Sequence, residues 1–299
     1  MARKSQHYSA WGGDTNGLYT LTDEDVDRLH HVLLEMYKEI KSICEKYNLH
    51  LIAAGGTALG AIRHKGFIPW DDDMDLFMFR EDFEKFKSLF SSELSDGYYL
   101  LAPGTAQGAN CFLPRIVKRG TTFLGMIDET SPYPHGIYID INIIEYAPEK
   151  PIVFRCKALG SDIRRFVSYS VYWNQYKSKS LKTYLEKSQG RKYYKLRMLL
   201  GKFFSFKSAE SWFVAFDNYV QGKKSKIVTV PSGTKKYKGE RLELDVVNPL
   251  KKVPFEDTDI FVFNNHDWYL SNLYGDYMKI PEVQDREHHM CLKLSFTEE

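Results

Sequence analysis

Apolar residues near the start of the chain follow first a helical and then a strand-like pattern. After Thr22 they recur at three- and four-residue steps, at Leu29, Leu33, Met36, Ile40, Ile43 and Tyr47. This spacing predicts a helix with one buried face. Thr22, with Asp25 three residues later, is typical of a capping box at its start. The apolar stretch 49–54, stopped by Gly55 and Gly56, predicts a short strand, and residues 57–63 suit a second helix.

Further along the chain the apolar positions alternate with a period of two, as in strands. One predicted strand begins within the aspartates, with Asp73, Asp75 and Phe77 on the same face. A charged helix is expected at about 80–92, and residues 111–124 predict a strand pair or hairpin. GIYIDINII, residues 136–144, alternates most regularly. Its isoleucines share one face and Asp140 projects from the other.

Four segments follow from these patterns. Residues 1–20 are polar and glycine-rich and indicate a loose N-terminal arm, and residues 21–150 carry the strands and the acidic cluster of a catalytic core. Residues 151–242 place aromatic and basic side chains at helical spacing, which predicts an α-helical module. Residues 243–299 mix short strands with a helix at about 265–274 and are expected to complete the site. The predicted class is α+β, a mixed-sheet core with an appended helical module.

Composition excludes several classes of protein. The 299 residues are 43% hydrophobic and 27% charged, which is typical of a soluble globular protein. The formal net charge is +2, so the overall field does not favour a nucleic-acid partner. Four scattered cysteines lack metal-ligand spacing, and neither a secretory signal nor an apolar run of about 18 residues is seen. We therefore expect a cytoplasmic protein with reduced thiols.

The acidic string WDDDMD is the strongest chemical signal. Neighbouring carboxylates repel and resist burial, so such a cluster usually holds a cation or manages a proton. Asp73 and Asp75 lie about 7 Å apart along one strand face, which suits a divalent metal bound jointly with a phosphate. Asp140 adds a third carboxylate from another strand. Backbone N–H groups at Gly55 and Gly56, before a helix, would cradle phosphate. This order of motifs is the constellation of the nucleotidyltransferase fold.

Three other interpretations of the acidic string remain open. Asp71, Asp73 and Asp75 occupy the first ligand positions of an EF-hand loop, but Leu76 replaces the required glycine and Asp82 stands where a glutamate is usual. A solvated acidic turn could contain Asp71 and Asp72. The string also contains the DxD motif of nucleotide-sugar glycosyltransferases, although those enzymes usually place it after a longer Rossmann-like half.

Basic residues near these motifs could balance phosphate charge, and each could equally be an ordinary surface cation. They are Arg63, Lys65, Arg115, Lys118 and Arg286, of which Arg115 and Arg286 are preferred. His64, His288 and His289 could act as acid or base, or be structural histidines.

Residues 177–207 place ten basic residues, with Glu186 as the single acid, among apolar ones. This pattern predicts a basic amphipathic helix that could lie on an anionic membrane, or a solvated helix that covers a core.

Three strings together resemble the LicD family of phosphotransferases. They are GGTALGAIRHKGFIPWDDDMDLFM (55–78), GIYIDI (136–141) and LYGDYMKIPEVQDREHH (273–289). The family includes bacterial phosphorylcholine transferases and is related to the fukutin-type ribitol-phosphate transferases. Residues 151–245 carry no matching motif. After Asp140 the chain reads INIIE, where relatives more often have Ile-Phe-Pro and an aspartate, which affects the expected acceptor pocket more than the metal site.

The resemblance implies transfer of a phospho-alcohol from a CDP-linked donor, typically CDP-choline, to a sugar hydroxyl of a cell-surface glycan or teichoic acid precursor. It implies Mg²⁺, with Mn²⁺ as the alternative. Asp73 and Asp75 match the metal ligands, and Asp140 matches the third acid, a ligand or a base. The expected donor-binding residues are Gly55, Gly56, Thr57, Arg63, Lys65, Arg115 and Arg286.

The resemblance also raises expectations about the surroundings of the enzyme. Because family acceptors are often built on a lipid carrier, a lipid-linked glycan and peripheral contact with the inner face of the membrane are expected. For a choline group, Tyr169, Tyr172, Trp173 and Tyr176 are candidates for an aromatic cage, or they form a core stripe. A nucleotidyltransferase that consumes a nucleoside triphosphate, a nucleotide-sugar glycosyltransferase and a non-catalytic glycan-binding protein are the alternatives.

Overall fold

A mixed β-sheet with helices on its faces forms the centre of the protein in the computed structural model, which describes residues 17–186, 188–283, 286 and 290–297. Most of the predicted N-terminal arm, together with His288 and His289, lies outside these residues. The helices of the described chain are α1 (Asp23–Lys46), α2 (Gly55–Arg63), α3 (Arg80–Glu93), α4 (Pro151–Gln175), α5 (Lys179–Glu186), α6 (Arg191–Phe204), α7 (Ala209–Val220), α8 (Lys236–Gly239), α9 (Leu244–Val247) and α10 (His266–Tyr274).

The strands of the same residues form a nine-stranded sheet and a two-stranded one. They are β1 (Ile52–Ala53), β2 (Asp75–Phe79), β3 (Tyr98–Leu101), β4 (Arg115–Lys118), β5 (Thr122–Gly125), β6 (Tyr138–Tyr146), β7 (Ile227–Thr229), β8 (Leu242–Glu243), β9 (Lys251–Phe255), β10 (Thr258–Val262) and β11 (Cys291–Ser295). The main path runs β3-β4-β6-β2-β1-β10-β9, and β7 and β8 extend it from β6. Because β2 pairs parallel with β6 and β1 parallel with β10 while the other pairs are antiparallel, the predicted α+β class with a mixed sheet is confirmed.

Local sequence signals account for several element boundaries. The Thr22 hydroxyl accepts a hydrogen bond from the Asp25 N–H, and the Asp25 carboxylate accepts one from the Thr22 N–H, so the predicted capping box is confirmed. The alternation in GIYIDINII is also confirmed, since Ile139 and Ile141 are buried in β6 while Tyr138 and Asp140 are partly exposed. The helices predicted at about 80–92 and 265–274 are present as α3 and α10.

The predicted hairpin between residues 111 and 124 is wrong in its pairing, although both strands exist. β4 inserts between β3 and β6, whereas β5 pairs with the C-terminal β11 in a separate sheet. The physical reason is burial: Ile116 and Val117 of β4 fill the central core, while every residue of β5 stays partly exposed. Strand pairing over such long sequence separations leaves no local signal.

The helical region predicted from residue 151 onward packs as its own layer. α4 runs along α6 and α7, and an aromatic cluster that includes Tyr172, Trp173 and Phe213 fills the space between them. β7 lies in the range 151–242 but pairs with the C-terminal end of β6, and β8, which begins at the end of this range, pairs with β7. Among the described helices, none is long and apolar enough to cross a lipid bilayer.

Arg80 joins the sheet to the helical layer. Its Nε donates to Glu145 of β6 at 2.8 Å, and its Nη2 donates to Asp217 of α7 at 2.7 Å. Glu145 is only 1% exposed, so its negative charge depends on this guanidinium. Removing one partner of such a buried pair lowers the free energy of unfolding by more than the intact pair contributes to it, because the other charge then stays buried without compensation.

We expect Arg80→Ala to lower the free energy of unfolding by about 3–5 kcal/mol, because Glu145 is left buried without its cation. Urea denaturation monitored by circular dichroism measures this change. The matched control is Arg241→Ala, whose partner Glu243 is exposed, and it should cost less than about 1 kcal/mol. Equal effects of the two variants would contradict the bridging role of Arg80.

Glu240 is a second buried acid, placed where the chain returns from the helical layer to the sheet. Its Oε1 accepts a hydrogen bond from the N–H of Lys235 at 3.1 Å. Burial is the largest influence on this carboxyl and raises its pKa to about 7. Because the folded pKa exceeds the unfolded value, the folded state holds a proton that the unfolded state releases, and its contribution to stability is lost as the pH rises through 7.

Wild-type protein should therefore lose up to roughly 3 kcal/mol from this group between pH 5 and pH 8. Glu240→Gln removes the titration and keeps the hydrogen-bond acceptor, so the variant should lose less stability over the same range. Thermal melts at pH 5, 6, 7 and 8 check the difference. Parallel pH profiles for the two proteins would show that Glu240 does not titrate in this range.

Candidate active site

A cavity of about 720 Å³ opens between the central sheet and the helical layer. We call its two sides the aspartate wall and the helical wall. The aspartate wall is formed by Gly55, Gly56, Asp71, Asp72, Asp73, Asp75, Arg115 and Asp140. The helical wall is formed by Asp162, Arg165, Phe166, Tyr169, Trp173, Tyr193 and Arg197.

Asp75 and Asp140 are neighbours across two parallel strands. They are direct partners in the register of β2 and β6, and neighbouring strands lie about 4.8 Å apart. Asn142 of β6 donates from Nδ2 to Asp75 Oδ1 at 3.2 Å, and Thr57 Oγ1 accepts from the Asp75 N–H at 2.9 Å. The sheet and the first turn of α2 thus fix both the backbone and the side chain of Asp75.

Asp71, Asp72 and Asp73 form a tight cluster just before β2. One oxygen from each carboxylate lies within 4.8 Å of the others. Asp72 is buried, which argues against a solvated turn. The segment after Asp73 continues into a paired strand and then α3, so it has no room for the loop of an EF-hand.

The oxygen-only donor set of the aspartate wall fits a hard divalent cation. Mg²⁺ prefers one or two carboxylates, several waters and phosphate oxygens in place of an all-protein cage. Asp73 and Asp75 were the predicted ligands together with Asp140. The structure brings all three to the same wall and adds Asp71 and Asp72, for which the sequence left a solvated turn open as an alternative.

The glycine pair lies in the first turn of α2, which begins two residues earlier than the predicted helix start. Gly55 has a φ of +46°, which favours glycine. A Cβ added to Gly56 would lie 2.6 Å from Asp71 Oδ2, so only glycine lets the aspartates approach the helix N-terminus this closely. The partial positive charge of that terminus favours carboxylate or phosphate. The N–H of Gly55 itself donates to the Tyr269 hydroxyl at 3.1 Å.

Arg115 is paired with Asp140. Its Nε donates to Asp140 Oδ1 at 2.7 Å and its Nη2 to Oδ2 at 3.3 Å, while its guanidinium lies 4.1 Å from the centre of the Tyr138 ring. Burial alone lowers the pKa of Arg115, but the Asp140 carboxylate raises it well above the ordinary value. Arg115, the predicted phosphate contact, therefore lines the cavity, but Asp140 already neutralises much of its positive charge.

The four other predicted cations do not line the cavity. Lys118 lies 5.5 Å from the centre of the Tyr98 ring. Arg63 donates from Nη1 to the carbonyl of Tyr277 at 2.8 Å, and Arg286 lies 4.0 Å over the ring of Trp70. Lys65 is exposed at the turn after α2. Thr57 is buried behind Asp75 and supports it through its hydroxyl.

Sequence reasoning missed two tyrosines of α10 that complete the site. Tyr269 is buried, and its hydroxyl accepts the Gly55 N–H. Tyr274 is partly exposed as a whole, but its hydroxyl lies in the cavity, where burial and the charges of Asp71 and Asp75 raise its pKa well above the usual value. The string LYGDY, which begins one residue before Tyr274, was the available signal.

The aromatic cage predicted from four residues divides between the cavity and the core. Tyr169 and Trp173 line the helical wall. Tyr172 is fully buried and donates its hydroxyl to Asp128 at 2.5 Å, and Tyr176 packs against it with 4.9 Å between ring centres. Two of the four predicted aromatic residues thus line the cavity, and the other two belong to the aromatic core.

Comparison with known proteins agrees with this geometry. The model of the "LicD/FKTN/FKRP, nucleotidyltransferase domain" family matches residues 48–106, which contain α2, the aspartate cluster and β2. The lipopolysaccharide cholinephosphotransferase LicD of Haemophilus influenzae is 28% identical over 270 residues, which cover 86% of this chain and 93% of that protein. Uncharacterised proteins of Rickettsia prowazekii and Rickettsia typhi are 36% and 35% identical over 69 and 66 residues, about a fifth of this chain and roughly a quarter or less of each protein.

The domain match falls on the aspartate wall, and the Haemophilus protein also aligns with the helical layer that forms the opposite wall. Taken with the strand register that joins Asp75 to Asp140, these similarities support a phosphotransferase similar to those of the LicD family.

Proposed function

We propose that the protein transfers phosphocholine from CDP-choline to a sugar hydroxyl of a cell-surface glycan such as lipopolysaccharide. The single observation that carries this is the aspartate wall, which sits in a chain similar over most of its length to a cholinephosphotransferase. The cavity volume of about 720 Å³ lies within the range of small-molecule sites, about 300–1,000 Å³. It has room for a nucleotide donor and part of an acceptor.

The donor diphosphate would lie against the aspartate wall. Asp73 and Asp75 would hold Mg²⁺ with support from Asp71 and Asp72, while the N-terminus of α2 faces the phosphate charge. The bound ion would neutralise the diphosphate and the developing charge on the departing CMP. Asn142 and Thr57 keep Asp75 in position during the reaction.

Asp140 and Arg115 would act as a unit on the acceptor side of the phosphorus. The hydroxyl that attacks must lose its proton, and Asp140 is the carboxylate beside Asp75 that can accept it. Arg115 holds Asp140 in one orientation and keeps additional N–H donors for a phosphate oxygen. Binding of the donor diphosphate by Lys65, Arg63 or Arg286 would require these side chains to move from their present positions.

We expect Asp75→Asn to lower the release of CMP from CDP-choline by roughly 100-fold or more, because it removes one charge from the metal site. Phosphorus NMR with magnesium and a lipopolysaccharide acceptor measures the turnover, and EDTA should stop it in the wild type. The matched control is Asp96→Asn, at an exposed position, which should keep wild-type activity. A melting temperature within a few degrees of wild type shows that the variant is folded.

Two results would contradict the proposal in different ways. Full activity of Asp75→Asn would overturn the site. Turnover of a nucleoside triphosphate with pyrophosphate release, and none of CDP-choline or another CDP-alcohol, would favour the nucleotidyltransferase alternative.

We also propose that α6 docks the protein on an anionic membrane, where a lipid-linked glycan acceptor would be found. Leu199 and Phe203 of this helix are 67% and 72% exposed, far above what a helix covering a core would show. Lys195 and Lys202 are exposed on the same helix. Apolar side chains flanked by lysines at a helix surface favour the boundary between lipid headgroups and acyl chains.

A double variant, Lys195→Glu with Lys202→Glu, should reduce co-sedimentation with phosphatidylglycerol vesicles at low salt by roughly tenfold or more, since each basic residue near such a surface contributes about 1 kcal/mol. Lys251→Glu, at an exposed position on β9, is the control and should bind as the wild type does. Equal binding of wild type to neutral phosphatidylcholine vesicles, or none to anionic ones, would remove this proposal.

A further inference from the structure

The helical wall of the cavity contains two enclosed arginines whose hydrogen-bond acceptors, within the described residues, are all uncharged. Arg165 Nη1 donates to the carbonyls of Pro231 and Gly233 at 3.2 and 3.1 Å. Arg197 Nη1 donates to the carbonyl of Phe166 at 3.2 Å and to a serine hydroxyl at 3.4 Å. Most buried cations of folded proteins are paired with an acid, so this pair is unusual.

Arg197 is held by aromatic rings instead of by an acid. Its guanidinium lies 4.3 Å from the ring centre of Phe166, 4.6 Å from that of Tyr193 and 4.9 Å from that of Trp173. The residue is 9% exposed, and its Nε is buried without a hydrogen-bond partner. The rings fix the guanidinium plane and leave this donor unsatisfied at the cavity wall.

Arg165 brings a second positive charge to the same wall. Its guanidinium lies 4.3 Å over the ring of Phe112. Burial is the largest influence and lowers its pKa. The nearby charge of Arg197 acts in the same direction, while Tyr169, Asp162 and Glu240 act in the opposite one. Two desolvated cations near each other raise the free energy of the empty site, and a bound anion would relieve both costs.

Asp162 adds an acceptor one turn before Arg165 on α4. Its Oδ1 is buried without a hydrogen-bond partner, and the residue lines the cavity. A carboxylate oxygen in this position suits a hydroxyl group. The faces of Phe166 and Tyr193 provide apolar surface next to it, on which a sugar ring can lie.

We propose that the helical wall binds a sugar that carries a negatively charged group, phosphate or carboxylate. Arg165 and Arg197 bind the charged group, and Asp162 accepts a hydrogen bond from a ring hydroxyl. Guanidinium groups match both anions, because their N–H donors lie in one plane at the spacing of two oxygens. Assigning this sugar as the acceptor rests on the proposed function, while its binding does not.

The donor is a poorer match for this wall. Its diphosphate needs the metal ligands and the helix N-terminus, which are carried by β2, β6 and α2 on the opposite wall. α4 and α6 instead present cations, a hydroxyl acceptor and rings.

Isothermal titration of the full chain with glucose 6-phosphate, glucuronate, inorganic phosphate and glucose, in EDTA and without donor, tests the inference. Glucose 6-phosphate or glucuronate should bind at least tenfold more tightly than glucose, and which of the two binds tighter identifies the charged group. Arg197→Gln should weaken that binding at least tenfold. Arg191→Gln, at an exposed position on the same helix, should leave it unchanged.

A second variant keeps the test decisive if Arg197→Gln unfolds. Asp162→Ala removes the acceptor and should lower the preference for glucose 6-phosphate over inorganic phosphate several-fold, which a general loss of structure cannot produce. Equal affinity for glucose and the charged sugars, or unchanged binding by folded Arg197→Gln, would overturn the inference. Inorganic phosphate that binds as tightly as glucose 6-phosphate would overturn the sugar assignment. Because donor and metal are absent, this titration succeeds or fails independently of CDP-choline turnover.

Discussion

Repulsion among five carboxylates at one edge of the sheet is the constraint on which the site depends. Asp71–Asp73, Asp75 and Asp140 line one cavity wall, and like charges so close together are stable only with compensation. The chain supplies part of it through the N-terminus of α2, the Arg115 guanidinium and the amide of Asn142. A divalent cation, as proposed, would add to this compensation, and for that reason the wall is suited to phosphate chemistry.

The two walls of the cavity are held in place by different kinds of structure. Strand register fixes the aspartate wall, since a shift of one residue would turn Asp75 or Asp140 to the other face of its strand. Side-chain packing among aromatic rings fixes the helical wall, where Arg197 is held by three rings. The aspartate wall therefore tolerates almost no change in strand register. In the helical wall, by contrast, single substitutions could change which ligand fits.

Local patterns in the sequence were sufficient for the elements and for the central acids. The capping box at Thr22, the alternation around Asp140 and the glycine pair each leave a signal within a few residues, and the structure contains the helices and strands predicted from these three signals. The pairing of β5 with β11, the approach of Tyr274 to the aspartates and the burial of Asp72 depend on contacts between distant segments. Such contacts are determined by tertiary packing, and neither the hydrophobic periodicity of the sequence nor the secondary-structure propensity of its residues predicts them. The role of the arginines in the helical wall was missed for the same reason, because they resemble surface cations until α4 and α6 meet.

The contacts of Arg80 have a further consequence for substrate choice. Arg80 ties β6 to α7 through Glu145 and Asp217, and α7 packs along α4. The distance between the two walls is therefore set by the fold. For the anionic acceptor proposed above, reaction would require that the distance from its anionic group to its nucleophilic oxygen match that separation. Regioselectivity would then be a matter of molecular length, imposed by an ion cluster that never touches the substrate.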